Sequence, residues 1–216
     1  MVIDNQYVVP FQIDNVNELV YDYSAQIDLT DEAAYKLRDT IDQDVLSEYS
    51  NAAQTMEDSD LPGGTDNSAI TASSANIIGM FSTARKMLRN KNVAEEGDFF
   101  SVVTSDTAEI IERTAADKGF QVADSTLRNG YAGNFLGFRV YVSNNVQSED
   151  YNGTVGADRQ LFGKRGAIDF AMRQTPVVEV KDVSNRLANN VFVWTVYGIK
   201  TFTNKADYFI QAPTTY

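Results

Sequence analysis

An α+β fold is predicted by three observations in the sequence. From Thr30 to Glu57 apolar residues recur every three or four positions, which is helical spacing. Between residues 99 and 143 a strand, a helix and a second strand follow one another, the order of an α/β lobe rather than of a helical bundle. From Ala167 to about Phe202 the pattern changes to the alternation of long antiparallel strands.

Residues 2–13 open the chain as an extended piece carrying Tyr7, Val8, Val9, Phe11 and Ile13 around Pro10. A proline in a strand pattern marks an edge or a bulge, so a partner strand is expected on one side. Asp14 can cap a short helix bearing Val16, Leu19, Val20 and Tyr23. The long helix follows, with Ala34, Leu37, Ile41, Val45, Tyr49, Ala53 and Met56 on one stripe. At 1.5 Å per residue it would run for roughly 40 Å and cross the molecule. Its other faces are acidic (Asp31, Glu32, Asp39, Asp42, Asp44, Glu48), the pattern of a solvated surface.

Asp58 to Ser68 is a loop by composition and the best candidate for a boundary between lobes. A second helix begins near Ser74, with Ile77, Met80, Phe81, Ala84, Met87 and Leu88 as its apolar face. Arg85, Lys86, Arg89 and Lys91 crowd its last turns, where cations complement the helix dipole. Phe99–Thr104 is apolar on both faces and reads as a buried central strand. Asp106 and Glu109 have capping-box spacing for a helix through Ala108, Ile111 and Ala115, closed by Gly119.

Gly130, Gly133 and Gly137 then precede a strand with Phe138, Val140 and Val142 on one face. A phosphate-cradling loop needs a helix after its glycines, whereas a strand follows here, so a tight turn is expected. Residues 144–160 read as a long polar loop, the kind of segment that makes contacts. Three alternating runs, 167–172, 177–181 and 191–197, are expected to be neighbouring antiparallel strands, and Trp194 a core or interface residue. Ala206–Tyr216 reads as another edge or a surface tail.

Composition excludes much. The 216 residues suit one domain or two packed lobes. With neither cysteine nor histidine, disulfides, thiolate chemistry, the usual zinc ligands and the Ser-His-Asp triad are ruled out. A net charge of −12 argues against gripping nucleic acid. No apolar run approaches the ~20 residues of a membrane helix, so no membrane partner is expected. Met1-Val2-Ile3-Asp4 lacks the basic start of a signal peptide, and a soluble intracellular protein is expected. No cofactor is called for.

The segment Gly130–Asn145, preceded by Phe99–Ser105 and followed by Gly163-Lys164-Arg165-Gly166-Ala167-Ile168, resembles major capsid (coat) proteins of tailed DNA bacteriophages. So do Phe11–Leu19 and the helix with Leu37-Arg38-Asp39-Thr40-Ile41-Asp42, and these segments occur in the family's order. The resemblance implies the Hong Kong 97-type coat fold, in which a long spine helix and a long-stranded sheet form a peripheral lobe beside a mixed α/β axial lobe. Residues 1–70 would be the peripheral lobe with its spine helix, 71–165 the axial lobe, and 166–216 the peripheral sheet and C-terminal tail. Family members usually carry an N-terminal arm and an extended loop ahead of the segment corresponding to 5–13, where this sequence has almost nothing.

The implied function is a shell subunit, without catalysis, that assembles as pentamers and hexamers of an icosahedral head enclosing DNA without specific binding. Scaffolding, portal or decoration proteins are the further partners implied. The virion capsid, assembled in the bacterial host cytoplasm, is the implied location. Tyr151, Asn152, Asp158 and Arg159 are the candidate subunit contacts, because they fall on the 144–160 segment, the expected axis-facing loop. Two alternatives stand beside this reading. An encapsulin-type compartment shares the fold and holds enzymes in place of a genome. A metal-dependent enzyme would use Asp39 and Asp42, three apart on the helix, to hold Mg²⁺ or Ca²⁺ by oxygen ligands.

Overall fold

The computed structural model describes residues 2–14, 24–93, 99–117, 131–183 and 188–216. The expected short helix after Asp14, the closing Gly119 and the turn glycine Gly130 lie outside them. The chain divides into two units, Met1–Val45 with Asp169–Lys200 and Leu46–Ile168 with Thr201–Tyr216.

The first unit is built on a three-stranded antiparallel sheet ordered β1 (Asn5–Asp14), β10 (Ala188–Lys200), β9 (Asp169–Asp182). Pro10 lies on β1, which among the described residues pairs only with β10 and so is an edge, as the missing N–H requires. The runs 167–172 and 177–181 are not two strands. Apart from Ala167 and Ile168, which precede it, both belong to β9, which continues through Pro176 because it too is an edge and because the register slips there between Trp194 and Val196. Helix α1 (Ser24–Ser47) places Ala33 and Leu37 against Val193, with Val9 and Phe11 beside them. Its 24 residues span about 36 Å.

The long helix ends at Ser47 rather than continuing to Glu57. A short 3-10 turn follows (Glu48–Asn51), and Gln54–Thr55 leaves the helix to become β2. Tyr49 and Met56 kept the helical spacing for separate reasons: Tyr49 is buried with Leu46 and Leu161, Met56 with Leu61 and Ile70.

The second unit holds an eight-stranded mixed sheet. Its main order is β2, β11 (Phe209–Thr215), β8 (Thr154–Lys164), β4 (Phe99–Val103), β6 (Phe138–Val142), β5 (Tyr131–Phe135). β3 (Ile70–Thr71) also pairs with β11, and β7 (Ser148–Tyr151) with β8. The buried strand expected at 99–104 is central as predicted, parallel to β6 and antiparallel to β8. Helices α2 (Ile77–Asn90) and α3 (Ser105–Asp117) supply the apolar side chains on one face. Phe81 of α2 meets Phe135, Phe138 and Phe162 edge-on, with ring centroids 4.9, 5.7 and 5.0 Å away.

The glycine stretch is a hairpin turn, as the absence of a following helix required. Leu136 and Gly137 have φ of 48° and 88°, the paired positive angles of the tight turn that matches strand twist. Two further expectations are corrected. The 206–216 stretch is neither edge nor tail, because β11 lies between β8 and the short strands β2 and β3. The expected boundary loop at 58–68 lies inside the second unit, since the strands on either side of it both pair with β11. The units therefore part near Val45 rather than residue 70, near Ile168, three residues from the expected 165, and again near Lys200.

Candidate functional site

Residues 144–160 are not a long loop. After a turn, β7 and β8 form a hairpin whose tip, Asn152-Gly153, has φ of 45° and 90°. Asn-Gly is the preferred pair for this turn, and that signal was present in the sequence. The charges and the polar alternation of Ser148–Asp150 masked it.

The four candidate contacts occupy different places on this hairpin. Asn152 is exposed at the tip, and Tyr151 is half-buried at the end of β7. Asp158 and Arg159 lie within β8, opposite Thr214 and Pro213 of β11. Arg159 is 7% exposed and serves its own unit. Its guanidinium lies 4.9 Å from the Tyr151 ring centroid and 5.5 Å from that of Tyr49. Its Nη2 donates to the Asp150 carbonyl at 2.8 Å. Tyr151 donates its hydroxyl hydrogen to Glu57, and Tyr49 to Glu149. Two rings thus hold one cation while their hydroxyls reach two carboxylates, which ties the base of the hairpin to the 48–57 segment. Cation–π contacts of this kind strengthen when desolvated.

What the hairpin presents outward is Asn152 and Val155, the latter 82% exposed. A valine that open to water buries little apolar area within its own unit, and no sequence rule singled it out. The first unit also carries apolar surface. Phe170, Met172, Val178 and Val180 are between 37% and 49% exposed on the edge strand β9. On the sheet face turned away from the buried Val193, Trp194 is half-buried and lines an open groove with Gln6, Val8, Glu179, Lys181 and Phe192. A sheet face bathed only in water would alternate to polar residues there.

The acidic pairs on α1 have structural uses. Asp44 accepts a hydrogen bond from the Tyr197 hydroxyl at 2.6 Å and so fastens the helix to β10. Asp39 accepts from Gln43 at 3.2 Å. The Asp42 carboxyl is held above its ordinary range, by desolvation first and by the neighbouring Asp39 charge second. Among the described residues no group of three or more acidic side chains could hold a metal ion.

Burial, followed by hydrogen bonding to Glu57 and that residue's charge, pushes the Tyr151 phenol up to about 12 from its usual 10.0. Tyr7, Tyr49, Tyr197 and Tyr216 are raised as well, by burial first in every case. Because the folded values lie above the unfolded ones, the neutral phenols contribute stability that is fully present below pH ~10 and lost as pH climbs through the raised values. An alkaline titration should therefore show a late, abrupt component of tyrosinate absorbance coinciding with loss of circular dichroism. A smooth titration that reaches its end while the circular dichroism is still native would contradict these assignments.

Comparison with known proteins agrees with this architecture. A sequence profile described as phage capsid protein matches residues 20–209, and the chain belongs to that family. Among curated proteins none matches the sequence. A solved structure from Mycobacterium phage Che8 shares 18% identity with a TM-score of 0.73, over 98% of this chain and 71% of the other. The capsid of cyanophage P-SCSP1u shares 17% with a TM-score of 0.67, over 99% and 73%. The SrpI encapsulin of Synechococcus elongatus PCC 7942 shares 12% with a TM-score of 0.62, over 97% and 74%. The fold is of the Hong Kong 97 type, and the chain is a major capsid protein. It is thus a structural protein that associates with copies of itself in the virion capsid, which sets aside the enzyme reading of Asp39 and Asp42.

Proposed function

We propose that the chain forms the pentamers and hexamers of an icosahedral head that encloses the double-stranded DNA of a tailed phage. The observation that carries this is the family match over residues 20–209, reinforced by fold similarity along the whole chain. In this reading the first unit is the peripheral lobe and the second the axial lobe. The β7–β8 hairpin tip meets its symmetry mates at the axis. Asn152 and Val155 make the contact, Tyr151 and Arg159 hold the hairpin from beneath, and Asp158 sits within β8 beside them. Scaffolding, portal or decoration proteins would be the further partners, with assembly in the host cytoplasm.

Electron microscopy of the expressed chain tests the reading, with closed shells or rings as the expected result. Val155→Asp would bring like charges together around the axis and should cut the yield of assembled particles roughly tenfold. Unchanged melting of the isolated subunit would show that its fold is intact. Rings that form normally from this variant would remove the hairpin tip from the contact. The net charge of −12 would let packed DNA slide along the wall. Shells that bound DNA tightly with a steep salt dependence would contradict that part.

The encapsulin match keeps a compartment for enzymes as the second reading. Protein cargo in place of nucleic acid inside particles isolated from their natural host would favour it.

A further inference from the structure

The mixed sheet of the second unit carries opposite charge at the two ends of its strand order. At one end, the loop between β2 and β3 bears Asp58, Asp60 and Asp66. Its own backbone holds it in a single shape. Asp58 N donates to the Ser68 carbonyl at 3.0 Å and Leu61 N to the Asp58 carbonyl at 2.9 Å. Thr65 N donates to Asp58 Oδ2 and Glu57 N to Asp60 Oδ2, both at 2.9 Å. At Gly64 a Cβ would fall 1.8 Å from the Asp58 carbonyl oxygen, so only glycine lets the loop close this tightly. The carboxylates are therefore presented from a fixed frame.

At the other end, the β5–β6 hairpin exposes Arg139. Helix α2 begins against Leu61 of the acidic loop, meets this hairpin through Phe81, which touches Phe135 and Phe138, and exposes Lys86 and Arg89 on its later turns. The Arg85 side chain runs along the hairpin turn, with its guanidinium carbon 3.4 Å from where a Cβ on Gly137 would stand. Lys91, farther along, pairs with Asp207 at 3.0 Å.

We propose that these two ends meet between copies, the acidic β2–β3 loop of one subunit docking on the basic α2 and β5–β6 end of the next. This rests on the shell reading above and specifies how neighbouring axial lobes recognise one another. A second copy is the occupant because one chain carries both signs at the two ends of one sheet. Such a contact joins unlike surfaces head to tail, the kind that closes into rings. It also answers an electrostatic problem. Copies carrying −12 each repel one another unless their few surface cations are aimed at the neighbour's acids. A nucleic acid bound at the basic end would leave the rigid acidic loop without a counterpart.

The test uses two full-length variants, Asp60→Lys with Asp66→Lys and Lys86→Glu with Arg89→Glu. Each gives a subunit with like charge at both ends. Each should remain folded by circular dichroism, yet need roughly tenfold more protein than the unsubstituted chain to assemble. Mixed in equal amounts the two should form six-membered rings, in which they alternate and each supplies what the other lost. Five-membered rings, which cannot alternate, should stay scarce, and added salt should weaken the unsubstituted assembly. Asp60→Asn with Asp66→Asn, a milder change that also spares the loop, should give an intermediate threshold. If either reversal variant assembles alone as readily as the unsubstituted chain, or the mixture forms no six-membered rings while both are folded, the end-to-end pairing is overturned and the shell reading stands. If the unsubstituted chain never assembles at any concentration or salt, the shell reading falls and the pairing with it.

Discussion

Phe81→Ala should lower the unfolding free energy by about 3–5 kcal/mol, the usual cost of removing a large buried aromatic ring. Phe81 is fully buried where α2 crosses the sheet. Its ring has edge-to-face contacts with Phe135, Phe138 and Phe162, which lie on three different strands. Pairs of this geometry add to the burial term, and the deleted ring would leave a cavity walled by rigid rings that cannot collapse into it. Single domains are stable by only about 5–15 kcal/mol, so the loss is a large fraction of what the second unit has. Denaturant unfolding of the isolated subunit measures it. Phe81→Leu, which keeps most of the volume, should cost clearly less. A loss below about 1 kcal/mol for the alanine variant would mean that α2 does not pack as described.

Gly163→Ala should also be costly, although it adds a single methyl group. Gly163 pairs with both Phe209 and Phe100 in the middle of the sheet. A Cβ there would stand 2.6 Å from Phe209 Cβ, 2.9 Å from the Tyr208 carbonyl oxygen and 3.1 Å from Phe209 Cα. Two of these three are backbone atoms, which cannot swing aside as the tip of a side chain can. β11 would have to move off β8, at a cost of about 1–3 kcal/mol or more. Gly79→Ala is the control. In α2 its new methyl would meet only Leu61 Cδ2 at an ordinary 3.7 Å, and alanine is the better helix former. A drop in melting temperature for Gly163→Ala beside none for Gly79→Ala is the expected pair of results. Equal melting temperatures would mean the two strands are not so close.

The parts of the fold that could be read in the sequence are those where one physical signal acts alone. Phe99–Val103 is apolar on both faces because strands cover both its edges and side chains both its faces. Phe138, Val140 and Val142 alternate with exposed Arg139 and Tyr141 because one face of β6 meets the core. Failures came where a residue served a role its type does not announce. Arg159 and Gln160 are charged or polar yet buried in β8, held by aromatic faces and by Thr107, so the strand looked like loop. Residues 206–216 read as an edge or a tail, yet β11, with Pro213 in it, is internal. The proline falls between the β2 pairing at Ile210–Gln211 and the β3 pairing at Thr214–Thr215, where that side asks for no donor. At the candidate site the Asn152-Gly153 signal was visible, whereas the clamp beneath it was not. Tyr49, Glu57 and Glu149 come from separate stretches, and only the fold brings them to Tyr151 and Arg159.

The pairing of β1 with β10 sets a constraint on how the subunit is made. Asn5 meets Tyr197 and Asp14 meets Ala188, so during synthesis β1 must wait for β10, which is made far later. Throughout synthesis Val8, Val9 and Phe11 have no native strand to join, and closure over such a long separation is slow. Nascent chains crowded on one message would offer these segments to each other, a route to aggregation before any shell can form.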